Sequence, residues 1–113
     1  MNKHKVVIVK ELTDEDINDI LDSALHGCRY WVGDIKIKLF NKAAPPPAYL
    51  SQALTQGHSL KIHDSEEDKW HTLTLNKFIK GLSLSYGFNY EDYDKEEAEQ
   101  VLQRALFKEA IYG

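Results

Sequence analysis

The chain has 113 residues, 42% of them hydrophobic and 28% charged, a composition that suits one globular domain and excludes a disordered chain. Fourteen Lys and Arg against eighteen Asp and Glu leave a net charge of −4, which argues against a protein held to duplex nucleic acid by phosphate contacts. The longest purely apolar run is Val6 to Val9, far short of the roughly 20 residues that span a bilayer.

The start MNKHKVV lacks the long apolar stretch and small-residue cleavage site of a signal peptide, so a soluble protein that stays where it is made is expected. The single cysteine, Cys28, excludes an internal disulfide and a multi-thiolate zinc site and fits a reducing cytoplasm.

His4 to Lys10 surrounds Val6-Val7-Ile8-Val9, a β-branched run that reads as a strand because such side chains fit a pleated surface. Thr13-Asp14-Glu15-Asp16 follows and predicts a helix start. The Thr hydroxyl accepts from free backbone N–H groups, and the carboxylates complement the positive helix end. Ile17, Ile20, Leu21, Ala24, Leu25 and Cys28 recur at spacings of three and four, one apolar stripe on a helix of about four turns ending near Gly27. From Tyr30 to Phe40 the period becomes two: Ile35, Ile37 and Leu39 alternate with Asp34, Lys36 and Lys38 as in a half-buried strand. Pro45, Pro46 and Pro47 break sheet pairing because proline lacks an N–H. Pro46 or Pro47 suits the first turn of a short helix carrying Tyr49, Leu50, Ala53 and Leu54 and ended by Gly57.

His58 to His63 and Trp70 to Leu75 read as a hairpin joined by the polar loop DSEEDK, with Ile62 opposite His71 and Leu60 opposite Leu73. Leu60, Ile62, Leu73 and Leu75 then form an inner face, expected to meet the first and last helices. Lys61, His63, Trp70, Thr72 and Thr74 form an outer face. Phe78, Ile79, Leu82 and Tyr86 make a shorter helical stripe interrupted by Gly81, and the aromatic stretch Tyr86 to Tyr93 reads as a loop. Asp94 with Glu97 predicts a capping box ahead of a last helix carrying Ala98, Val101, Leu102, Ala105 and Leu106. The expected architecture is a single α+β domain over 1–113. It has a small, mainly antiparallel sheet of three to four strands, a hairpin among them, and about four helices.

Five histidines raise the question of a metal, which the hairpin register answers against. His63 and His71 point to opposite faces, while His58 and His71 share a face about 13 Å apart, too far for two ligands of one zinc. Asp64, Glu66, Glu67 and Asp68 lack the central glycine and ligand spacing of a calcium loop and read as a solvated hairpin tip. Cys28 falls in a helical apolar stripe and reads as a buried small hydrophobe, not a nucleophile. There is no nucleophile elbow, phosphate loop or dinucleotide fingerprint. No catalytic residue, metal or cofactor is therefore assigned.

Charge is distributed unevenly. Glu11 to Asp22 holds six acids and no base, and Glu91 to Glu99 six acids and one lysine, so the two windows carry −11 and the rest of the chain +7. Ser23 to His63 holds Arg29, Lys36, Lys38, Lys42 and Lys61 against Asp34 alone. Ordinary solvated helix faces account for the acids; a surface competing for a nucleic-acid channel on another protein is the functional alternative. Tyr86, Phe88, Asn89, Tyr90 and Tyr93 offer a second candidate surface, as anchors or base-stacking rings, or else fold under the loop as core.

Three stretches, LTDEDINDILDSALHGCRYW, GHSLKIHDSEEDKWHTLTLNKFIKGL and VLQRALFKEAIYG, resemble a family of small uncharacterised proteins of phages, prophages and other mobile elements of Firmicutes. The resemblance carries no catalytic residues. It implies a context, in the cytoplasm of a bacterial host cell, in which small accessory proteins antagonise host defence. The leading expectation is a non-enzymatic protein that blocks a bacterial defence protein such as a CRISPR effector. Its partner-binding residues would be Glu15, Asp19, Asp22, Tyr86, Phe88 and Tyr90. The alternative is a module that sequesters a small nucleotide signal through Arg29, Lys36 and Lys38 with the aromatic loop. Membrane and duplex nucleic acid are not expected partners; a homo-oligomer is compatible with either reading.

Overall fold

A computed structural model describes residues 11–40 and 45–113; the strand expected over His4 to Lys10 lies outside them. In chain order the elements are α1 (Asp14–Gly27), β1 (Val32–Lys38), a 3-10 turn (Leu50–Gln52), β2 (Ser59–Asp64), β3 (Lys69–Leu73), α2 (Leu75–Leu84) and α3 (Lys95–Phe107). The strands form one antiparallel sheet in the order β1-β2-β3. The class is α+β, with three strands and three α-helices among the described residues. The fourth helix expected after the prolines is only the 3-10 turn, because Pro47 and Gly57 bracket too few residues to repay helix nucleation.

Both predicted helix starts form as reciprocal caps. Thr13 Oγ1 accepts from the Asp16 backbone N–H at 3.1 Å while Asp16 Oδ2 accepts from the Thr13 N–H at 3.0 Å, and Asp94 and Glu97 repeat the arrangement at α3. The hairpin register is the expected one, Leu60 opposite Leu73 and Ile62 opposite His71. Its second strand is shorter than expected. Thr74 leaves the sheet to cap α2, its hydroxyl accepting from the Lys77 N–H at 3.2 Å, so Leu75 opens a helix instead of lining the strand. In β1 a bulge at Gly33 pairs Val32 with Asp64 and Asp34 with His63. It turns Val32 inward although strict alternation would place it with Asp34, Lys36 and Lys38.

One face of the sheet meets the helices. Leu60, Ile62 and Leu73 are fully buried with Ile20, Leu21 and Ala24 of α1, Phe78 of α2, and Val101 and Leu102 of α3; each large apolar side chain contributes roughly 1.5–3 kcal/mol by leaving water. Two glycines set how closely the helices approach. A Cβ on Gly27 would lie 2.5 Å from the Lys95 carbonyl oxygen, and one on Gly81 would lie 2.6 Å from that of Val101. Gly81 therefore does not interrupt α2; it lets α2 lie against α3. The other face carries Lys36, Lys38, Lys61, Trp70 and Thr72. No described helix is long and apolar enough to cross a membrane.

Candidate functional site

The structure places the sequence-predicted residues on three separate surfaces. Glu15, Asp19 and Asp22 recur at helical spacing on one exposed side of α1. With Tyr49, Ser51 and Gln52 they border an open cleft of about 440 Å³. Asn18 ties that side to the chain just after the 3-10 turn, its side chain 2.7 Å from Thr55 Oγ1. The second acidic window comes up against the first. Burial, and then the charges of Asp19, Asp16 and Asp22, push the Tyr93 phenol above its ordinary range. The exposed neighbours of Tyr93 in the chain are Asp92 and Asp94. α1 packs against α3, and Gly27 at the end of α1 meets Lys95 at the start of α3, so the segment leading into α3 lies beside the helix that carries Asp19 and Asp22.

The aromatic loop divides. Phe88 meets Tyr90 and Tyr93 with ring centroids 5.1 Å apart in each case, and all three lie partly buried against the core. Tyr86 instead projects into solvent, 93% exposed. The physical reason is position: Phe88, Tyr90 and Tyr93 lie on the chain as it returns to α3, while Tyr86 follows the Ser85 cap of α2. Phe88 and Tyr90 serve packing first, and Tyr86 is the free ring.

The basic residues divide too. Arg29 lines a cleft of about 170 Å³ with Asp22, His26 and Tyr49. Lys38 borders a different one of about 460 Å³ with Phe40, Leu54 and His58, and Lys36 Nζ stands 5.0 Å over the Trp70 ring. The nucleotide-binding set of Arg29, Lys36, Lys38 and the loop rings is therefore spread over several sites.

A polar network within the core escaped the sequence reading. Glu99, 3% exposed, accepts from Trp31 Nε1 at 2.7 Å, from the Tyr30 hydroxyl at 3.2 Å and from the Gln103 amide. Gln103 in turn holds the C-terminal segment: it accepts from the Tyr112 N–H at 2.8 Å and donates to the Tyr112 carbonyl at 3.1 Å. Tyr112 stacks on Trp31, centroids 5.3 Å apart, and its hydroxyl donates to Asp64. Asp64 is fully buried, which corrects its reading as part of a solvated tip; Glu66, Glu67 and Asp68 are exposed. Alternation along β2 explains the difference, since it puts Asp64 on the inner face with Leu60 and Ile62. The bulge at Gly33 in β1 brings the inward Val32 opposite it, and the carboxylate is satisfied by the Glu66 and Glu67 N–H groups at 2.9 and 3.3 Å. The pair Glu99 and Gln103 at i,i+4 beside an apolar stripe was the available signal.

Cys28 is fully buried, its Sγ 3.4 Å from the Leu25 carbonyl oxygen, and burial first of all pushes its thiol up to about 11. The thiolate is the reactive form, so this cysteine is held as a small apolar group. His63 lies on the outer sheet face against Trp70, centroids 5.0 Å apart, and His71 on the inner face, edge-on to Phe107 at 4.9 Å. Among the described residues no three His, Cys, Asp or Glu side chains gather in a metal-holding arrangement. No family model, curated protein or solved structure matches the chain.

Proposed function

We propose that the chain is a small, non-enzymatic protein of the bacterial cytoplasm that blocks a host defence protein by laying its acidic helix side over a basic, nucleic-acid-binding surface of that protein. The observation that carries the reading is the juxtaposition of the two acidic windows, with Glu15, Asp19 and Asp22 exposed on α1 and the segment around Tyr93 beside that helix. Tyr49, 68% exposed at the border of the same cleft, supplies an aromatic anchor. The mobile-element setting rests on the three stretches that resemble phage and prophage proteins. Complementary charge of this kind steers encounter and suppresses wrong partners more than it adds affinity. Sequestration of a small nucleotide fits less well, because Arg29, Lys36 and Lys38 do not line one pocket.

The test is a binding measurement on a partner captured from host lysate, identified and purified. Association is followed at about 50 and 300 mM salt with wild type and with Asp19→Asn/Asp22→Asn. The reading expects association to slow roughly tenfold at the higher salt and to slow again in the variant, while folding survives. Equal affinity in all four conditions would remove the acidic surface from the mechanism and leave Tyr86 as the next residue to vary.

A further inference from the structure

We propose that the open face of the sheet binds single-stranded nucleic acid, with bases stacking on Trp70 and phosphates pairing with Lys36, Lys38 and Lys61. This goes beyond the blocking role above and uses none of its residues. Trp70 is 46% exposed near the start of the edge strand β3, on a face that the described helices leave uncovered. Its ring is already engaged by a cation, with Lys36 Nζ 5.0 Å from the centroid, and is braced by His63.

The lysines around it are set at a cost. Lys36 stands directly opposite Lys61 in the β1–β2 register, and like charges so placed destabilise a sheet. Lys61 Nζ is fixed by donating to Thr72 Oγ1 at 2.6 Å, and Lys77 Nζ donates to the Thr72 carbonyl at 2.8 Å, bringing another ammonium to the β3 margin. Two carboxylates lie near. Asp34 is 4.0 Å from Lys36 Nζ, and Asp68 is 2.7 Å from His63 Nε2. Lys36, Lys38, Lys61 and Lys77 thus set four ammonium groups against Asp34, an excess of three, and an incoming polyanion relieves their repulsion.

Charge alone would equally suit an acidic protein. The aromatic ring decides between them, because an unpaired base has a flat π-face for Trp70 while a carboxylate-rich peptide does not. A duplex hides its bases in the stack, so Trp70 discriminates against it as well. The overall charge of −4 is no obstacle, since most of the acids lie on α1 and around the start of α3, and of those at the hairpin tip Glu67 is 3.8 Å from Lys69 Nζ and Asp68 is bonded to His63.

The test uses the full chain and a dye-labelled oligothymidylate of about 12 nucleotides, with fluorescence anisotropy as the readout. Wild type binds at low salt, and exposed Trp70 is quenched while buried Trp31 is not. Trp70→Leu weakens binding roughly tenfold. Lys36→Gln/Lys61→Gln reduces the slope of log affinity against log salt by about 1.4, two single-strand phosphate contacts. Asp19→Asn/Asp22→Asn, which weakens the partner contact above, leaves this binding in place. All substitutions lie on the surface, and near-ultraviolet dichroism from Trp31 reports whether each variant folds. Should Trp70→Leu not fold, the lysine pair carries the test. Absence of wild-type binding overturns the proposal, as does wild-type affinity in both face variants. Displacement by polyglutamate as effective as by unlabelled oligothymidylate would overturn it in favour of an acidic protein.

Discussion

The carboxylates of this protein form two populations that no count of charge distinguishes. Glu15, Asp19 and Asp22 face water along one side of α1, whereas Asp64 and Glu99 are buried. The difference lies in the donors aimed at them. Glu99 receives an indole N–H, a phenol and an amide, and Asp64 two backbone N–H groups and a phenol. A buried charge persists only when so satisfied. One population therefore holds the C-terminal segment in place, and the other is available to a partner. Glu99 counted toward the acidic windows in the sequence, yet its charge is spent inside the fold.

Core truncation sets the scale against which a buried carboxylate is judged. Leu73→Ala, at a fully buried site on the inner sheet face, should cost roughly 2–5 kcal/mol, read as a lower denaturation midpoint; an unchanged midpoint would count against the facing of the hairpin. Glu99→Leu keeps the volume but leaves buried Trp31 Nε1 without its acceptor, while the Tyr30 hydroxyl and the Gln103 amide each lose one acceptor and keep the Tyr112 carbonyl. It should cost about 3 kcal/mol. Asp22→Leu, the same change at an exposed site of α1, should stay within about 0.5 kcal/mol. Equal losses at Glu99 and Asp22 would erase the distinction between the two populations.

The buried carboxylates also make nearby protons harder to remove. Donation to Asp64 first, then burial, raises the Tyr112 phenol above its ordinary range. Burial first, then Glu99, raises that of Tyr30. Cys28 is raised from an ordinary 9.0 to about 11, mainly by burial. Groups that hold protons more tightly folded than unfolded contribute stability that is complete below the unfolded pKa and lost as pH rises through the folded one. Stability should therefore fall between about pH 9 and 11. Cys28 accounts for roughly 2–3 kcal/mol of the loss. Urea titrations across that range should show a shallower decline for Cys28→Ala than for wild type; parallel curves would place the thiol in contact with water.

What the sequence revealed were the features set by local chemistry: the Thr13 cap of α1, the capping box of Asp94 and Glu97, the period-two run over Ile35 and Ile37, and the pairing of Leu60 with Leu73. Features that depend on long-range approach stayed hidden. A bulge at Gly33 reverses the facing of Val32 and pairs it with Asp64, and no local pattern announces it. Gly81 reads as a helix breaker until α3 is seen against it. Tyr112 looks like an ordinary tail residue, yet it docks onto Trp31 and Asp64, residues 81 and 48 positions away in the chain. Of the candidate site residues, the acids of α1 were legible because helical spacing alone puts them on one side. The nucleotide set was not, because Arg29 sits in the turn after α1 and Lys36 beyond the bulge of β1, on the open sheet face.

The smallest effect expected is the one that probes the exposed population directly, without any partner. Tyr93 senses Asp19 and Asp22 across the contact between the two acidic windows, while a hydrogen bond with Ser23 pulls the other way. Replacing Asp19 and Asp22 by Asn removes two negative charges that oppose formation of the phenolate, so the Tyr93 pKa should move down toward its ordinary value. Asp22 also faces His26 at 3.7 Å, but both side chains are exposed, and such a pair contributes little. Stability at neutral pH should accordingly stay within about 0.5 kcal/mol of wild type. An alkaline titration of the Tyr93 ring by NMR, in wild type and in the double variant, separates this shift from those of Tyr30 and Tyr112. Added salt should shrink the difference, because charges acting through partly exposed surroundings are screened. A Tyr93 titration indifferent to both substitutions would mean that the two acidic windows do not meet, and the surface proposed for the partner would be divided between two sites.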